Sequence, residues 1–223
     1  MVEQQLIEHH IQKYILSTLM HVKFARFRDM RPPQSDSNLY SYHLKLLIKK
    51  GFVEKSDSGY SLGIRGMTYV DRINADTVRP SIQPKIITMS VIQNGYGGVL
   101  MYKKLRQPFI DQWTLPFGKV HNMDETLDEA ARREVFEKVG DYNIQLRHAG
   151  DCYVRVKADN EVKISTLAHV FYGTIEDDIS NEHLHWIQPH KIAQLDTAPA
   201  IKDIISRTYF QDPYFFEEFT ETW

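Results

Sequence analysis

Between Gly118 and Gly140 the chain sets out Glu125, Arg133, Glu134, Glu137 and Lys138 at spacings that could hold a metal ion against a phosphate. The run Leu115-Pro116-Phe117-Gly118-Lys119-Val120 reads as a glycine-bearing loop leading into a stretch from Thr126 to Val139. No proline or glycine interrupts that stretch, Leu127-Asp128-Glu129-Ala130-Ala131-Arg132-Arg133 has good helix propensity, and Gly140 stops it. At about 100° per residue, Glu134, Glu137 and Lys138 form an i, i+3, i+4 set on the side that also carries Leu127, Ala130 and Ala131. Glu134 thus continues the small apolar stripe, and its carboxylate is expected to point toward the body of the domain. A carboxylate there needs a cation, because an unpaired buried charge costs several kcal/mol. Magnesium, or manganese in its place, suits one or two such carboxylates and leaves room for substrate phosphates. The same residues also make i, i+4 pairs, Glu134 with Lys138 and Arg133 with Glu137, which on an ordinary surface helix would be ion pairs and nothing more.

The pattern resembles the Nudix box, the signature of enzymes that cleave nucleoside diphosphates linked to another group. The family motif runs Gly, five residues, Glu, seven residues, Arg-Glu, an aliphatic, any residue, Glu-Glu, any residue, Gly and an aliphatic. Gly118, Glu125, Arg133, Glu134, Val135, Glu137 and Gly140 match it. Six residues rather than five separate Gly118 from Glu125, Lys138 replaces the second glutamate of the pair, and Asp141 replaces the closing aliphatic. Phe117 stands where many members place another glycine. The resemblance implies a magnesium- or manganese-dependent pyrophosphohydrolase in which Glu134 and Glu137 hold the metal and carry catalysis, with Arg133 orienting Glu134. It also implies a further glutamate from a later loop, for which Glu182 in Asn181-Glu182-His183 is the candidate, and substrate contacts at Gly118, Lys119 and Lys138. Lys138 reads two ways. Its ammonium repels a second ion and cripples a multi-ion mechanism, or it stands in for one ion against the substrate phosphates, so that binding outlasts catalysis.

The elements around this box fit the fold the resemblance implies, an α/β/α sandwich from residue 85 to 223. Lys85–Ile92 reads as a buried strand, Asn94–Gly98 as a turn and Val99–Tyr102 as the return strand. Further strand signals lie at Cys152–Val156 and Ser165–Tyr172, and a second helix at Ala198–Thr208. The aromatic run Tyr209–Phe216 is expected to dock on its own domain or on a partner subunit. His183, His185 and His190 read as a strand edge more readily than as a metal cluster. Lys103, Lys104 and Arg106 either meet phosphates or solvate a loop. Trp113 and Tyr102 either stack on a base or pack in the core.

The chain is long enough, at 223 residues, for two domains, and its charge is split. Residues 1–80 carry twelve Lys and Arg against eight Asp and Glu, and the remainder fifteen against twenty-one, a net +4 followed by −6. Such asymmetry points the first half at a polyanion. Pro80 and Pro84 mark an extended linker over residues 79–84. Residues 1–78 begin with an amphipathic stretch at 4–20. They continue with Ser37–Gly51, Phe52-Val53, a turn at Asp57-Ser58-Gly59 and the strand Tyr60–Leu62. This order is similar to winged helix-turn-helix domains, in which the second helix of the motif enters the major groove and the hairpin forms the wing. With Leu44 inward, Tyr40, Leu47 and Ile48 face the core, and Tyr42, Lys45 and Lys49 share the outward face that would reach DNA. A +4 domain binds phosphates weakly alone, so a homodimer is the expected DNA-binding unit.

A single cysteine, Cys152, leaves no intrachain disulfide framework, and no apolar run approaches a membrane span, so the reading is a cytoplasmic protein. The leading expectation is a Nudix hydrolase with a nucleic-acid-binding front domain. The rival is a nucleotide-sensing transcriptional regulator, resembling repressors of NAD metabolism that join a degenerate Nudix domain to a winged helix, although in those the winged helix comes second. A third reading is an enzyme whose front domain recruits RNA.

Overall fold

The structure, a computed structural model, describes residue 7 and residues 9–74, 79–80, 83–176, 179, 182–209 and 214–222. The chain divides into two compact units, Met1–Ile82 and Gln83–Trp223.

The first unit contains α1 (His10–Met20), α2 (Ser37–Lys49), the hairpin β1 (Val53–Ser56) with β2 (Gly59–Leu62), α3 (Ile64–Val70) and a short pair, β3 (Ile73–Asn74) with β4 (Arg79–Pro80). The helix expected from residue 4 begins at His10, where the His9 side chain accepts a hydrogen bond from the Ile11 amide at 3.3 Å. Residues 4–6 and 8 lie outside the described set. An isolated bridge between Ala25 and Tyr60 ties the segment after α1 to the hairpin. Helix α2 starts where it does because Asp36 caps it, accepting from the amides of Asn38 at 2.9 Å and Leu39 at 2.8 Å. One face of α2 is buried, with Tyr40, Leu44 and Leu47 packed among Ile11, Ile15 and Leu19 of α1. The Tyr40 hydroxyl donates to the Phe27 carbonyl at 2.6 Å, and burial pushes its pKa up to about 12. Tyr42, Lys45 and Lys49 are exposed. Helix, bridge, helix and hairpin are compatible with the winged helix expected from the sequence. Of the span read as linker, Arg79–Pro80 pairs with Ile73–Asn74, and residues 81 and 82 lie outside the described set.

The second unit is built on β5 (Lys85–Asn94), β6 (Val99–Lys103), β7 (Trp113–Thr114), β8 (Phe117–Lys119), β9 (Arg147–Ala158), β10 (Glu161–Ile175), β11 (His185–Ile187) and β12 (Phe215–Thr222). These form one sheet in the order β11-β6-β5-β10-β9-β12, with β7 beside β6 and β8 beside β5. Strand β10 runs parallel to β5 and β12 parallel to β9; the remaining pairs are antiparallel. Alternate residues of β5 and β6 supply two cores, as a period of two requires. Ile87, Met89, Val91, Val99 and Met101 pack with Ile201, Ile204 and Ile205 of α6 (Ile201–Tyr209). Ile92 and Leu100 pack with Val135, in the last turn of α4 (Leu127–Lys138), and with Val139 just beyond it. A short helix α5 (Pro189–Ile192) precedes α6. Helices on both faces of the sheet make the α/β/α sandwich the sequence implied. None of the described helices is long and apolar enough to cross a membrane.

The aromatic tail settles partly on its own domain. Residues 210–213 lie outside the described set, and Phe215–Thr222 forms the edge strand β12, with Phe215 buried against Gly150.

Candidate functional site

Strand β8 lays Gly118 opposite Thr88 of β5, and α4 crosses directly behind it. Thr126 caps α4 by accepting from the Glu129 amide at 3.1 Å, and Gly140, at φ +123°, closes it in a backbone region that side chains rarely adopt. The helix therefore presents Glu134 to the β8 loop. Glu134 is 6% exposed, and its carboxylate fills the space a side chain at position 118 would need: a Cβ there would stand 1.7 Å from its carboxyl carbon. Glycine at 118 is thus a packing requirement of the buried carboxylate.

Each oxygen of that carboxylate accepts one hydrogen bond. Arg133 Nη1 donates to Oε1 at 2.7 Å and Lys138 Nζ to Oε2 at 2.9 Å. Burial pushes the Glu134 pKa up, but the hydrogen bonds from Lys138 and Arg133 outweigh it and hold the carboxyl below its ordinary value. The expected pair Glu134–Lys138 therefore forms, with its acid partner buried rather than exposed. Arg133 also reaches Glu137 Oε1 at 3.5 Å, and Glu137 remains 53% exposed.

Sequence reasoning missed Asp124. The additional residue between Gly118 and Glu125 is absorbed by a turn in which the Asp124 amide donates to the His121 carbonyl at 3.1 Å and Asp124 Oδ2 accepts from the His121 amide at 2.7 Å. Asp124 then takes Arg133 in a two-pronged contact, Nε to Oδ1 and Nη2 to Oδ2, each at 2.9 Å. Nη2 also donates to the Lys119 carbonyl at 3.0 Å. Glu125 does not share in this: its amide donates to Glu129 Oε2 at 2.9 Å. The only prior signal was a carboxylate next to the inserted residue.

A cavity of about 890 Å³ adjoins this site through Phe117, Lys119, Glu137 and Lys138. Lys85, Lys104, Arg106, Lys119 and Lys138 line it against one carboxylate, Glu137. Its apolar wall includes Ile87, Met89, Phe109, Phe117 and Ile204. Lys104 Nζ lies 5.1 Å from the centre of the Phe117 ring, and burial together with Lys85 lowers its pKa. Tyr102 also reaches the cavity, and burial pushes its pKa up to about 12. Trp113 instead packs on the α6 core under Lys103.

Glu182 is not drawn into this cluster in the structure: its side chain is 87% exposed and meets His183 at 3.4 Å, while His183 and Leu184 line the cavity. His185 packs edge-on against Trp113. Among the described residues, His183, His185 and His190 share no metal-binding group.

The NUDIX domain family matches residues 84–208, more than half the chain. The chain belongs to the NUDIX family. No curated protein matches its sequence. Among solved structures, the NUDIX domain of Shewanella oneidensis NrtR in complex with ADP ribose is similar at 14% identity and TM-score 0.50, over 65% of this chain and 97% of that one. A mutator MutT protein from Bacillus halodurans is similar at 19% identity and TM-score 0.50, over 62% and 90%. Shewanella oneidensis NrtR in complex with a 27mer DNA is similar at 15% identity and TM-score 0.50, over 56% and 61%. These likenesses concern the fold.

The residues present fit one hard cation better than several. Glu137 is exposed and loosely held, and each Glu134 oxygen keeps a lone pair beyond its hydrogen bond. Lys138 fills the place of a third carboxylate with a positive charge.

Proposed function

We propose that the NUDIX unit of this protein binds a nucleoside diphosphate derivative and acts chiefly as a nucleotide sensor, with weak pyrophosphohydrolase activity, for a DNA-binding front domain. One observation carries the reading: Lys138 holds Glu134 at 2.9 Å, so the carboxylate that the family uses for metal is already neutralised from within the chain. The excess of cations lining the cavity supports an anionic ligand, and its apolar wall suits a base or sugar. Lys119 and Lys138 meet diphosphate oxygens, and Gly118 lets Glu134 sit close behind them. Glu134 and Glu137 hold a magnesium or manganese ion, which when bound neutralises charge on the diphosphate. Glu182 joins that set only by a rearrangement of its loop. Arg133, clamped by Asp124, fixes Glu134 in place. The solved relatives bind ADP ribose and DNA as their names state. By analogy, the α2 face with Tyr42, Lys45 and Lys49 contacts DNA as part of a cytoplasmic homodimer.

The second reading is a working hydrolase in which the Lys138 ammonium serves against substrate phosphates. The exposure of Glu137 favours it, because that carboxylate is free to take an ion. A panel of ADP-ribose, nucleotide sugars, NADH and dinucleoside polyphosphates separates the two. The sensor binds a member of the panel with little phosphate release, and that ligand shifts its affinity for DNA. Rapid turnover that Glu137→Gln abolishes by orders of magnitude establishes the hydrolase. Absence of binding to the whole panel overturns both.

A further inference from the structure

A second polar cluster lies on the sheet away from the NUDIX helix loop, and none of its members lines the cavity. Asp151 on β9 and His169 on β10 are direct cross-strand partners. His148 is three residues from Asp151, and in a regular strand it would project from the opposite face. The register slips between Val170 and Phe171, however: Val170 pairs with Gly150, whereas Phe171 pairs with His148. The extra residue, Ala149, is buried, and the bulge returns His148 to the face that carries Asp151 and His169.

The three side chains converge on one point. His148 Nε2 lies 2.9 Å and His169 Nδ1 2.6 Å from the same oxygen, Asp151 Oδ1. All three donor atoms lie within 4.8 Å of one another. The other oxygen, Oδ2, accepts the hydroxyl of Tyr214, just ahead of β12. This contact turns Oδ1 toward the two imidazoles, in the way an outer hydrogen bond orients a metal-binding carboxylate. Phe171, 2% exposed, stacks on the His148 ring with centroids 5.1 Å apart. His148 itself is 36% exposed, so the cluster opens to solvent on that side. Burial pushes the Asp151 pKa up, but hydrogen bonds from Tyr214, His169 and His148 outweigh it and hold it below its ordinary value.

We propose that His148, Asp151 and His169 form a binding site for a borderline divalent transition ion of the zinc class, separate from the NUDIX metal site. Two imidazole nitrogens and one carboxylate oxygen are the donors such ions select, whereas magnesium prefers oxygen alone. Ligand atoms around a tetrahedral ion at about 2.0–2.1 Å stand roughly 3.3 Å apart. The two nitrogen–oxygen separations open to that value by less than an ångström each. The ion replaces the protons now shared with Asp151 Oδ1, and each imidazole carries its proton on the other ring nitrogen. Solvent completes the coordination.

The test uses the full chain, stripped with chelator and titrated with Co2+ in excess Mg2+, read by visible absorption, with Zn2+ competing in calorimetry. Excess Mg2+ competes for the carboxylates of the NUDIX helix, and loss of signal in the histidine variants assigns it to the histidine site whether or not the nucleotide reading holds. The expected result is one ion per chain, with affinity at least about tenfold weaker in His169→Ala and in Asp151→Asn, since even supporting groups carry that much. His148→Gln, at an exposed position, serves where the other variants fail to fold, and circular dichroism melts check each protein. No Co2+ binding, binding displaced by Mg2+, or binding unchanged by His148→Gln or by a folded His169→Ala overturns the site.

Discussion

The Arg133 guanidinium grips both carboxylate oxygens of Asp124 at 2.9 Å, with an Asp124 side chain only 6% exposed. This pair connects the loop after β8 to α4, and through Arg133 Nη1 it fixes the Glu134 carboxylate. The hydrogen bond from Arg133, with a second from the His121 amide, pulls the Asp124 pKa down to about 2.

Asp124 should therefore shape acid stability. Its folded pKa of about 2 lies below the roughly 3.9 of an unfolded aspartate, so the pair contributes stability fully above the unfolded value and loses it as pH falls through the folded one. Asp124→Asn lowers the melting temperature at neutral pH and flattens its acid dependence between about pH 4 and 2. Thermal melts of both proteins across that range check this. Parallel curves would show that the clamp adds nothing.

Gly118→Ala should disturb the buried carboxylate. The added methyl meets Glu134 at 1.7 Å, so either α4 moves or Glu134 leaves its contacts with Arg133 and Lys138. We expect a loss of about 1–3 kcal/mol, the usual cost of overpacking, together with weakened nucleotide binding. Urea unfolding and calorimetry with ADP-ribose measure the two effects. An unchanged midpoint would mean that Glu134 has a free alternative position.

Lys138→Glu should tighten magnesium binding under either reading of function. It replaces an ammonium 2.9 Å from Glu134 with a carboxylate, and each unit charge at about 4 Å is worth about 1 kcal/mol even in bulk water. Two units against a divalent ion amount to about 4 kcal/mol before salt screening, so affinity is expected to rise at least about tenfold. A sensor gains turnover from a near-zero baseline, whereas an enzyme adapted to the lysine loses rate or changes substrate. Phosphate release by both proteins on one nucleotide panel distinguishes them, and unaltered magnesium affinity would place Lys138 outside the metal's field.

Lys45 and Lys49 are exposed on the face of α2 opposite Leu44 and Leu47. If the face meets phosphates, replacing both with Ala lowers DNA affinity and reduces the slope of log affinity against log salt by about one for each phosphate no longer neutralised. Fluorescence anisotropy over a salt series measures the slope. A wild-type protein that ignores DNA at low salt, with or without nucleotide, would leave α2 a structural helix.

Local pattern made α4, β5, β6 and the hydrophobic face of α2 readable from the residues alone. Helical and strand periods, the stop at Gly140 and the turn at Asn94–Gly98 act over a few positions, and side chains within one helix keep their neighbours whatever surrounds it. For that reason Glu134 could be placed on the inward face and Lys138 beside it. The partners brought from elsewhere in the chain were decided by tertiary structure. Whether Glu125 or Asp124 would hold Arg133 depended on how the lengthened loop folded back. Gly118 came to lie against Glu134 because β8 pairs with β5 while α4 crosses behind it. His148 joined Asp151 and His169 only through a one-residue slip between β9 and β10, and a slip of that size reverses the face of every side chain beyond it. Spacing along the chain carries the first kind of information. The second resides in register and loop closure, which are set by packing across the whole sheet.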